Sequence, residues 1–180
     1  MSALKASILQ KKAAYRRRTA ALLDHIAVYG DEQLNRLPAS GGWSAMQVVH
    51  HLLLVDTLAL RYVQKKLGFE PVLQRAGMAE RLRLWRLWIY LHAPLKFKAP
   101  EAVSEQRFPS FATLADTRQL WEQVAAAWQA FLEALPEDLC DKAVYRHPFV
   151  GRLSWGGLFV FLRWHLERHA RQIFQTLRAQ

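Results

Sequence analysis

The chain has 180 residues, of which 52% are hydrophobic and 22% are charged, with a formal net charge of +10. This composition excludes an intrinsically disordered chain, because it supplies enough apolar surface for a substantial core, and we expect a single domain over residues 1–180. The positive charge is compatible with nucleic acid, an anionic membrane surface or a small acidic ligand, and does not choose among them.

The sequence favours a cytoplasmic location. Its one cysteine, Cys140, cannot form an internal disulfide, so a reducing compartment is expected. Asp24 and His25 interrupt the apolar stretch that a secretory signal would need near the N-terminus, and no stretch reaches the length of a transmembrane helix.

Five stretches have helical periodicity and none alternates as a half-buried strand does, which predicts an all-α fold. Helix A is predicted from about Ala6 to Tyr29, and "DEQLNRLPASGG" is predicted to be a connection. Helix B is predicted to begin at Ser44, which forms a capping box with Gln47, and to extend to about Leu67.

A basic and aromatic segment, residues 81–98, follows helix B. It is predicted to begin as a helix and to be broken by Pro94 and Pro100. An apolar stripe on this short helix is predicted to pack over the rest of the protein, and a membrane surface or a partner helix is the alternative. The stripe consists of Leu82, Trp85, Trp88 and Ile89.

Two further long helices complete the predicted fold. Helix C is expected to begin near Thr113, with Asp116 at the capping-box offset, and to end before Pro136. Helix D is expected to begin at Ser154 and to run nearly to the C-terminus. The sequence therefore predicts a four-helix bundle with an extra short helical segment between helices B and C, and such bundles commonly build ligand sites in their centre.

Two histidines of helix D, in "FLRWHLERHARQIF", are the first candidates for a functional site. Arg163 and Glu167 belong to the polar stripe of this helix, and His165 lies about 200° around the helix from both. His169 shares the side of His165, and residues at this spacing have Cβ atoms about 5–6 Å apart. Two inward-facing imidazoles at this spacing can reach one metal ion.

Helix B offers a third histidine. His51 falls on an apolar line with Val48, whereas His50 falls on a polar line, so His51 is predicted to point inward. Buried histidines without polar partners are costly, which favours a shared cation, and a buried hydrogen-bond network is the alternative. His147 precedes Pro148 in a predicted loop that would overlook the site.

The segments "GWSAMQVVHHLLLVD" and "HPFVGRLSWGGLFVFLRWHLERHARQI" resemble the DinB-like superfamily. This group of bacterial four-helix bundles includes metal-dependent hydrolases of the YfiT type and the bacillithiol and mycothiol S-transferases. Its pattern has a W-S helix start, a histidine eight residues after the Trp and followed by Leu, and a late H-x-x-x-H-x-x-Q-I. The matching residues are Trp43, Ser44, His51, Leu52, His165, His169, Gln172 and Ile173.

The resemblance implies a site for a divalent ion such as zinc, nickel, iron or manganese, with His51, His165 and His169 as ligands. Three protein ligands leave positions open, as in catalytic zinc sites. The implied activity is a metal-dependent enzyme that activates water or a low-molecular-weight thiol cosubstrate, of hydrolase or thiol S-transferase type, acting on a small molecule. Candidates for the surroundings of the ion or for substrate contact are Gln172, Asp56 and His147.

No catalytic residue is assigned, since no general base is identifiable. Asp56 lies on another face of helix B, where an interhelical contact or a salt bridge is the simpler expectation. A non-catalytic stress-response or binding module with a structural or vestigial metal site is the alternative function. Nucleic-acid binding is not expected, because no recognition helix or stacking motif accompanies the charge. The resemblance also suggests a homodimer.

Overall fold

A computed structural model describes residues 2–39, 41–69, 71–93 and 103–180. In these residues six α-helices and two strands follow one another along the chain. The helices are α1 (Ala3–Ile26), α2 (Asp31–Asn35), α3 (Ala45–Leu67), α4 (Ala79–His92), α5 (Leu114–Glu133) and α6 (Trp155–Arg178), and the strands are β1 (Ala143–His147) and β2 (Gly151–Ser154).

The four long helices α1, α3, α5 and α6 form a bundle, which confirms the predicted fold class. Helices α1 and α3 each pack against both α5 and α6. The core between them is apolar, as the amphipathic pattern of each helix predicts. Its large, fully buried side chains include Met46, Leu52, Trp128, Leu158, Leu162 and Ile173.

Side-chain caps define where three of these helices begin, and all three were predicted. The Ser44 hydroxyl accepts from the Gln47 amide at 3.1 Å, and Gln47 Oε1 accepts from the Ser44 amide at 2.9 Å. Thr113 Oγ1 accepts from the amide of Asp116 at 3.0 Å, and Ser154 caps α6 in the same way. These bonds satisfy backbone donors that have no partner within the helix.

The first helix and the connection after it differ from the prediction. Helix α1 begins at Ala3, three residues earlier, because the Ser2 hydroxyl accepts from the Lys5 amide at 3.3 Å. It ends at Ile26, and the predicted connection contains the short helix α2. Two acidic residues in the first turn of α2 stabilise its positive end.

The prediction of no strands was also wrong, because β1 and β2 form an antiparallel hairpin before α6. The strands have only five and four residues, and the register shifts between Ala143 and Tyr145. That irregularity removes the alternation of buried and exposed residues by which a strand is recognised in a sequence. His147 therefore lies in β1, paired with Gly151, and not in a loop.

Helix α4 lies outside the bundle, against α6 and β2. Its buried residues are Leu87 and Leu91, with Leu84 packed beside them. The stripe predicted to pack is instead exposed: Leu82 and Trp85 are each 59% exposed, and Trp88 and Ile89 are 47% and 42% exposed. This prediction was wrong because α4 carries two apolar stripes with the same period, and periodicity does not distinguish them.

Polar contacts attach α4 to α6 at both ends. Arg168 Nη1 donates to the carbonyl oxygens of Leu91 and Ala93 at 2.8 and 3.1 Å, and Glu80 Oε1 accepts from the Ser154 amide at 2.6 Å. The predicted break at Pro94 and Pro100 lies outside the described residues. None of the helices in the described ranges has the length and apolar composition needed to cross a membrane.

Candidate metal centre

Three histidine side chains meet between α3 and α6. Nε2 of His165 lies 3.3 Å from Nε2 of His51 and 3.1 Å from Nε2 of His169. One ring nitrogen of each residue lies within 4.8 Å of the other two. Two nitrogens bound to one tetrahedral ion at roughly 2.0–2.1 Å stand roughly 3.3 Å apart. The spacing of the three rings therefore fits a shared ion.

The packing of α3 on α6 produces this arrangement. His165 and His169 lie on successive turns of one face of α6, as their spacing predicts. The capping box at Ser44 sets where α3 begins, and His51 follows two turns later on the buried side of that helix. His50 turns the other way, and its Nε2 lies 3.2 Å from the Thr117 hydroxyl of α5.

The outer nitrogens of two rings fix which nitrogens face the centre. Nδ1 of His51 donates to the main-chain carbonyl of Val103 at 3.0 Å, and Nδ1 of His169 donates to Gln172 Oε1 at 2.8 Å. Since both oxygens can only accept, each Nε2 carries a lone pair directed inward. Nε2 of His165 can carry at most one proton, whereas Nε2 of His51 and Nε2 of His169 are two acceptors that face it. A cation bound by all three nitrogens therefore satisfies them better than a hydrogen-bond network does.

Burial keeps the three imidazoles neutral. It lowers the pKa of His169 to about 3, with the charge of His51 as a second cause. Burial likewise holds the pKa of His165 well below its usual range, and it lowers that of His51 against the opposing hydrogen bond to Val103. Neutral imidazole is the form that binds a metal, so the centre is ready for an ion near pH 7.

The three histidines differ in exposure within the described residues. His51 is buried, at 4% exposed, while His165 and His169 are both partly exposed. Catalytic metal sites keep a position open for water or substrate, whereas structural sites are closed by protein ligands. In the part of the chain that the structure describes, the group has three histidines and no fourth ligand, which is the ligand number of the open type.

The sequence comparison agrees with this geometry. The family model of the DinB superfamily matches residues 14–173. The chain belongs to the DinB superfamily. Members of this superfamily bind metal ions, and the three-histidine group of this DinB chain can hold one. No significant match was found among curated proteins or among solved structures.

Aromatic side chains enclose the buried side of the DinB centre. The Trp43 ring lies 5.2 Å from the ring of His51 and 5.2 Å from that of Phe108, measured between centroids. The tryptophan of the W-S helix start thus packs directly on a candidate ligand. On the other side, the Phe161 ring lies 5.4 Å from the ring of His165. Phe161 precedes His165 by four residues, and this spacing would have predicted that Phe161 lies beside the centre.

His147 is adjacent to the DinB centre but outside the three-histidine group. It is 4% exposed, its Nδ1 accepts from the Phe149 amide at 3.2 Å, and its ring lies 4.6 Å from that of Phe161. Burial lowers its pKa to about 4. The Phe161 ring contacts both His147 and His165, and the charge of a protonated His147 contributes to the lowered pKa of His165.

The other two candidates have different positions. Gln172 contacts the centre through His169, as described above. Asp56 is on another face of α3, where its Oδ1 accepts a 2.7 Å hydrogen bond from the Trp128 indole of α5, and it is an interhelical partner. Within the described residues it makes none of the salt bridges, and burial raises its pKa to about 7.

Proposed function

We propose that the chain is a divalent-metal-dependent enzyme of thiol S-transferase or hydrolase type. His51, His165 and His169 hold the ion, and a low-molecular-weight thiol or a water occupies the open side. The observation that supports this proposal is the convergence of three neutral imidazoles, each through Nε2, on one point between α3 and α6. Imidazole nitrogen suits zinc, nickel and iron, and manganese remains a candidate through the added oxygen of a substrate.

A bound divalent ion supplies Lewis acidity, which lowers the pKa of a thiol or water beside it. The chain's own residues hold the imidazoles for this task. The Val103 carbonyl and Gln172 Oε1 orient the rings of His51 and His169. The ring of Trp43 covers His51 and keeps water from that side. We therefore place the proposed reaction on the side of His165 and His169.

The electrostatic surroundings support an acidic cosubstrate. The positive charge of Arg168 is close enough to lower the pKa of both His165 and His169. The chain as a whole carries a net charge of +10. Low-molecular-weight thiols that carry carboxylates are attracted by such a field, which raises their local concentration.

Metal content tests the ligand assignment. Elemental mass spectrometry of tag-free protein should give near-stoichiometric metal for the parent and little for His51→Ala, His165→Ala or His169→Ala. His50→Ala is the matched control, since His50 is adjacent to His51 and faces α5. Circular dichroism verifies that each variant is folded. A parent that neither contains nor accepts metal would contradict the proposal.

Turnover separates an enzyme from a binding module. Metal-loaded protein is mixed with carboxylate-bearing thiols and an electrophile such as monochlorobimane, and in a second assay with activated esters. The enzyme proposal predicts metal-dependent consumption of a thiol or ester that is lost in His165→Ala and kept in His50→Ala. Stoichiometric metal without turnover of either class would favour the non-catalytic module.

We also propose that residues 1–180 form a single domain, that this domain works in the cytoplasm and that it pairs as a homodimer. These three points rest on the sequence and on the family. Light scattering coupled to size exclusion measures the mass in solution. A mass of 20.8 kDa at all concentrations would identify a monomer and exclude the dimer.

A further inference from the structure

An apolar ridge is exposed on the outer face of α4, the helix that lies outside the bundle. This α4 ridge consists of the exposed side chains Met78, Leu82, Trp85, Trp88 and Ile89. At 3.6 residues per turn they occupy about 120° of the helix surface, on the side opposite to the buried Leu87. Contiguous exposed apolar surface of this kind marks an interaction site on a folded domain.

Two arginines border the α4 ridge. Arg81 and Arg86 are exposed and project on opposite sides of its centre line. Neither makes an ion pair within the described residues. Glu80, the one acidic residue of α4, is directed at the hairpin, where its Oε1 accepts from the Ser154 amide at 2.6 Å. On α4 the ridge is therefore flanked by positive charge only.

The hairpin beside α4 carries more positive charge. Arg146 of β1 and Arg152 of β2 are both exposed and stand directly opposite each other in the hairpin register. Like charges at such positions destabilise a strand pair. Arg83 of α4 lies against the same hairpin, since its Nη1 donates to the Arg152 carbonyl at 3.1 Å. None of these three arginines makes an ion pair in the described ranges, so an anionic surface would offset their repulsion.

The charge and the shape of this region select one occupant for the ridge. Helix α4 and the two strands have five arginines and one glutamate, so a second copy of the chain would bring arginines against arginines. The outside of a single helix is convex, whereas a partner helix binds in a groove. A bilayer with anionic lipids offers negative head groups above an apolar layer, and Trp is enriched where the two meet.

We propose that the α4 ridge binds the surface of a bilayer that contains anionic phospholipids. Helix α4 has 14 residues, fewer than the roughly 20 of a spanning helix, and it lies in the plane of the surface. Leu82 and Trp85 enter the level where head groups meet acyl chains. Arg81 and Arg86 extend to the lipid phosphates, as long basic side chains do at such interfaces. This surface does not depend on the function proposed for the histidine centre.

Sedimentation of the full-length protein with extruded vesicles is the first test. Vesicles of phosphatidylcholine and phosphatidylglycerol in equal amounts should bind the protein, and added salt should release it. Vesicles of phosphatidylcholine alone should bind it at least roughly tenfold more weakly, since they lack the charge that each arginine meets. Equal binding to both vesicles, or no binding to the anionic ones, would overturn the proposal.

Matched variants test the apolar and the charged parts of the surface. Leu82→Ser should weaken binding to anionic vesicles about tenfold, from the lost burial of one Leu. Leu37→Ser should have no effect, because Leu37 is equally exposed but lies between α2 and α3. Arg86→Gln should weaken binding about fivefold, and Arg17→Gln on α1, with the same change in net charge, should not. Equal losses within either pair would mean that the ridge is not the contact.

Tryptophan fluorescence locates the contact. Lipids that carry bromine on their acyl chains quench the tryptophans that enter the lipid. This quenching should be present in the parent and nearly absent in Trp85→Phe/Trp88→Phe, which should still sediment with anionic vesicles. Parental quenching in that variant would mean that another surface enters the bilayer. Light scattering without lipid should give Trp85→Ser the mass of the parent, and a change from dimer to monomer would assign the ridge to a second copy and overturn the proposal.

Discussion

Gln172 accepts a 2.8 Å hydrogen bond from Nδ1 of His169, three residues before it on α6. This bond fixes both the tautomer and the orientation of the imidazole, so Nε2 is directed at the other two rings. Gln172→Ala should leave the fold intact and weaken metal binding roughly 10- to 100-fold, the usual effect of losing such a partner. Competition with a chromophoric chelator measures the change.

The matched variants for this prediction are on the same helix. Gln172→Glu keeps an acceptor at the same place and should retain most of the affinity. Gln175→Ala alters an exposed glutamine three residues further along α6 and should have no effect. Equal affinity for Gln172→Ala and the parent would show that Gln172 only packs.

The buried Asp56 predicts an unusual dependence of stability on pH. Burial raises the pKa of its carboxyl from 3.8 to about 7. Between these values the folded protein keeps a proton that the unfolded chain releases, so raising the pH favours unfolding. The contribution of this group to the free energy of unfolding should therefore fall between pH 4 and pH 7 and stay constant above.

Asp56→Asn isolates this effect, because its amide oxygen still accepts from Trp128 while the titration is gone. Urea unfolding at pH 5 and pH 8 is compared for the two proteins. Between pH 5 and pH 8 the free energy of unfolding of the parent should fall by up to roughly 3 kcal/mol more than that of the variant. This figure follows from 1.36 kcal/mol per pKa unit. The histidines with lowered pKa destabilise the fold at acidic pH in both proteins and cancel in the difference. An equal pH dependence would mean that Asp56 is ionised at pH 5.

Gly157, in the first turn of α6, is predicted to be intolerant of alanine. A Cβ there would come within 3.2 Å of Leu153 Cβ and would collide with the Glu80 carboxylate. Glu80 cannot move away without breaking its 2.6 Å bond to the Ser154 amide. Gly157→Ala should therefore lower the free energy of unfolding by about 1–3 kcal/mol, as overpacking does.

Gly156→Ala is the control for this position, since the nearest atoms to its Cβ would be at 3.6 Å. It should be neutral or stabilising, because alanine favours a helix over glycine. In a protein that also carries Glu80→Ala, Gly157→Ala should lower the free energy of unfolding by less. If both alanines have the same effect, the close approach of Glu80 is not a constraint.

The packing face of α4 gives a fourth prediction. Leu87 is fully buried, whereas Trp85, two residues earlier, is 59% exposed. Leu87→Ala should cost about 2–5 kcal/mol of stability, and Trp85→Ala should stay within about 0.5 kcal/mol. Chemical unfolding of both variants measures this. A large cost for Trp85→Ala would indicate that another surface covers the exposed stripe.

Periodicity predicted the parts of the fold that repeat regularly. It located the long helices. It also predicted that His51 points inward and His50 does not, because adjacent residues of a helix such as α3 lie on different faces. Capping residues such as Ser44 and Ser154 predicted helix starts because their hydrogen bonds are local. These features depend on residues that are close together in the sequence, and for that reason the sequence predicts them.

The missed features depend on contacts between distant parts of the chain. The two faces of α4 are equally apolar, and only packing against α6 selects Leu87 over Trp85. The hairpin has an irregular register, so no period marks it. The partner of His51 is a main-chain oxygen at Val103, and every residue has such an oxygen, so its identity carries no signal.

The bond from His51 to the carbonyl of Val103 makes the centre sensitive to the position of the main chain at residue 103 and insensitive to the type of side chain there. Any amino acid at position 103 supplies the same main-chain oxygen, so substitutions there should leave this hydrogen bond in place. A shift of the main chain at residue 103, in contrast, would withdraw the oxygen and let the imidazole of His51 rotate or change tautomer. What orients His51 is therefore the position of the main chain at residue 103, rather than the side chain that this residue carries.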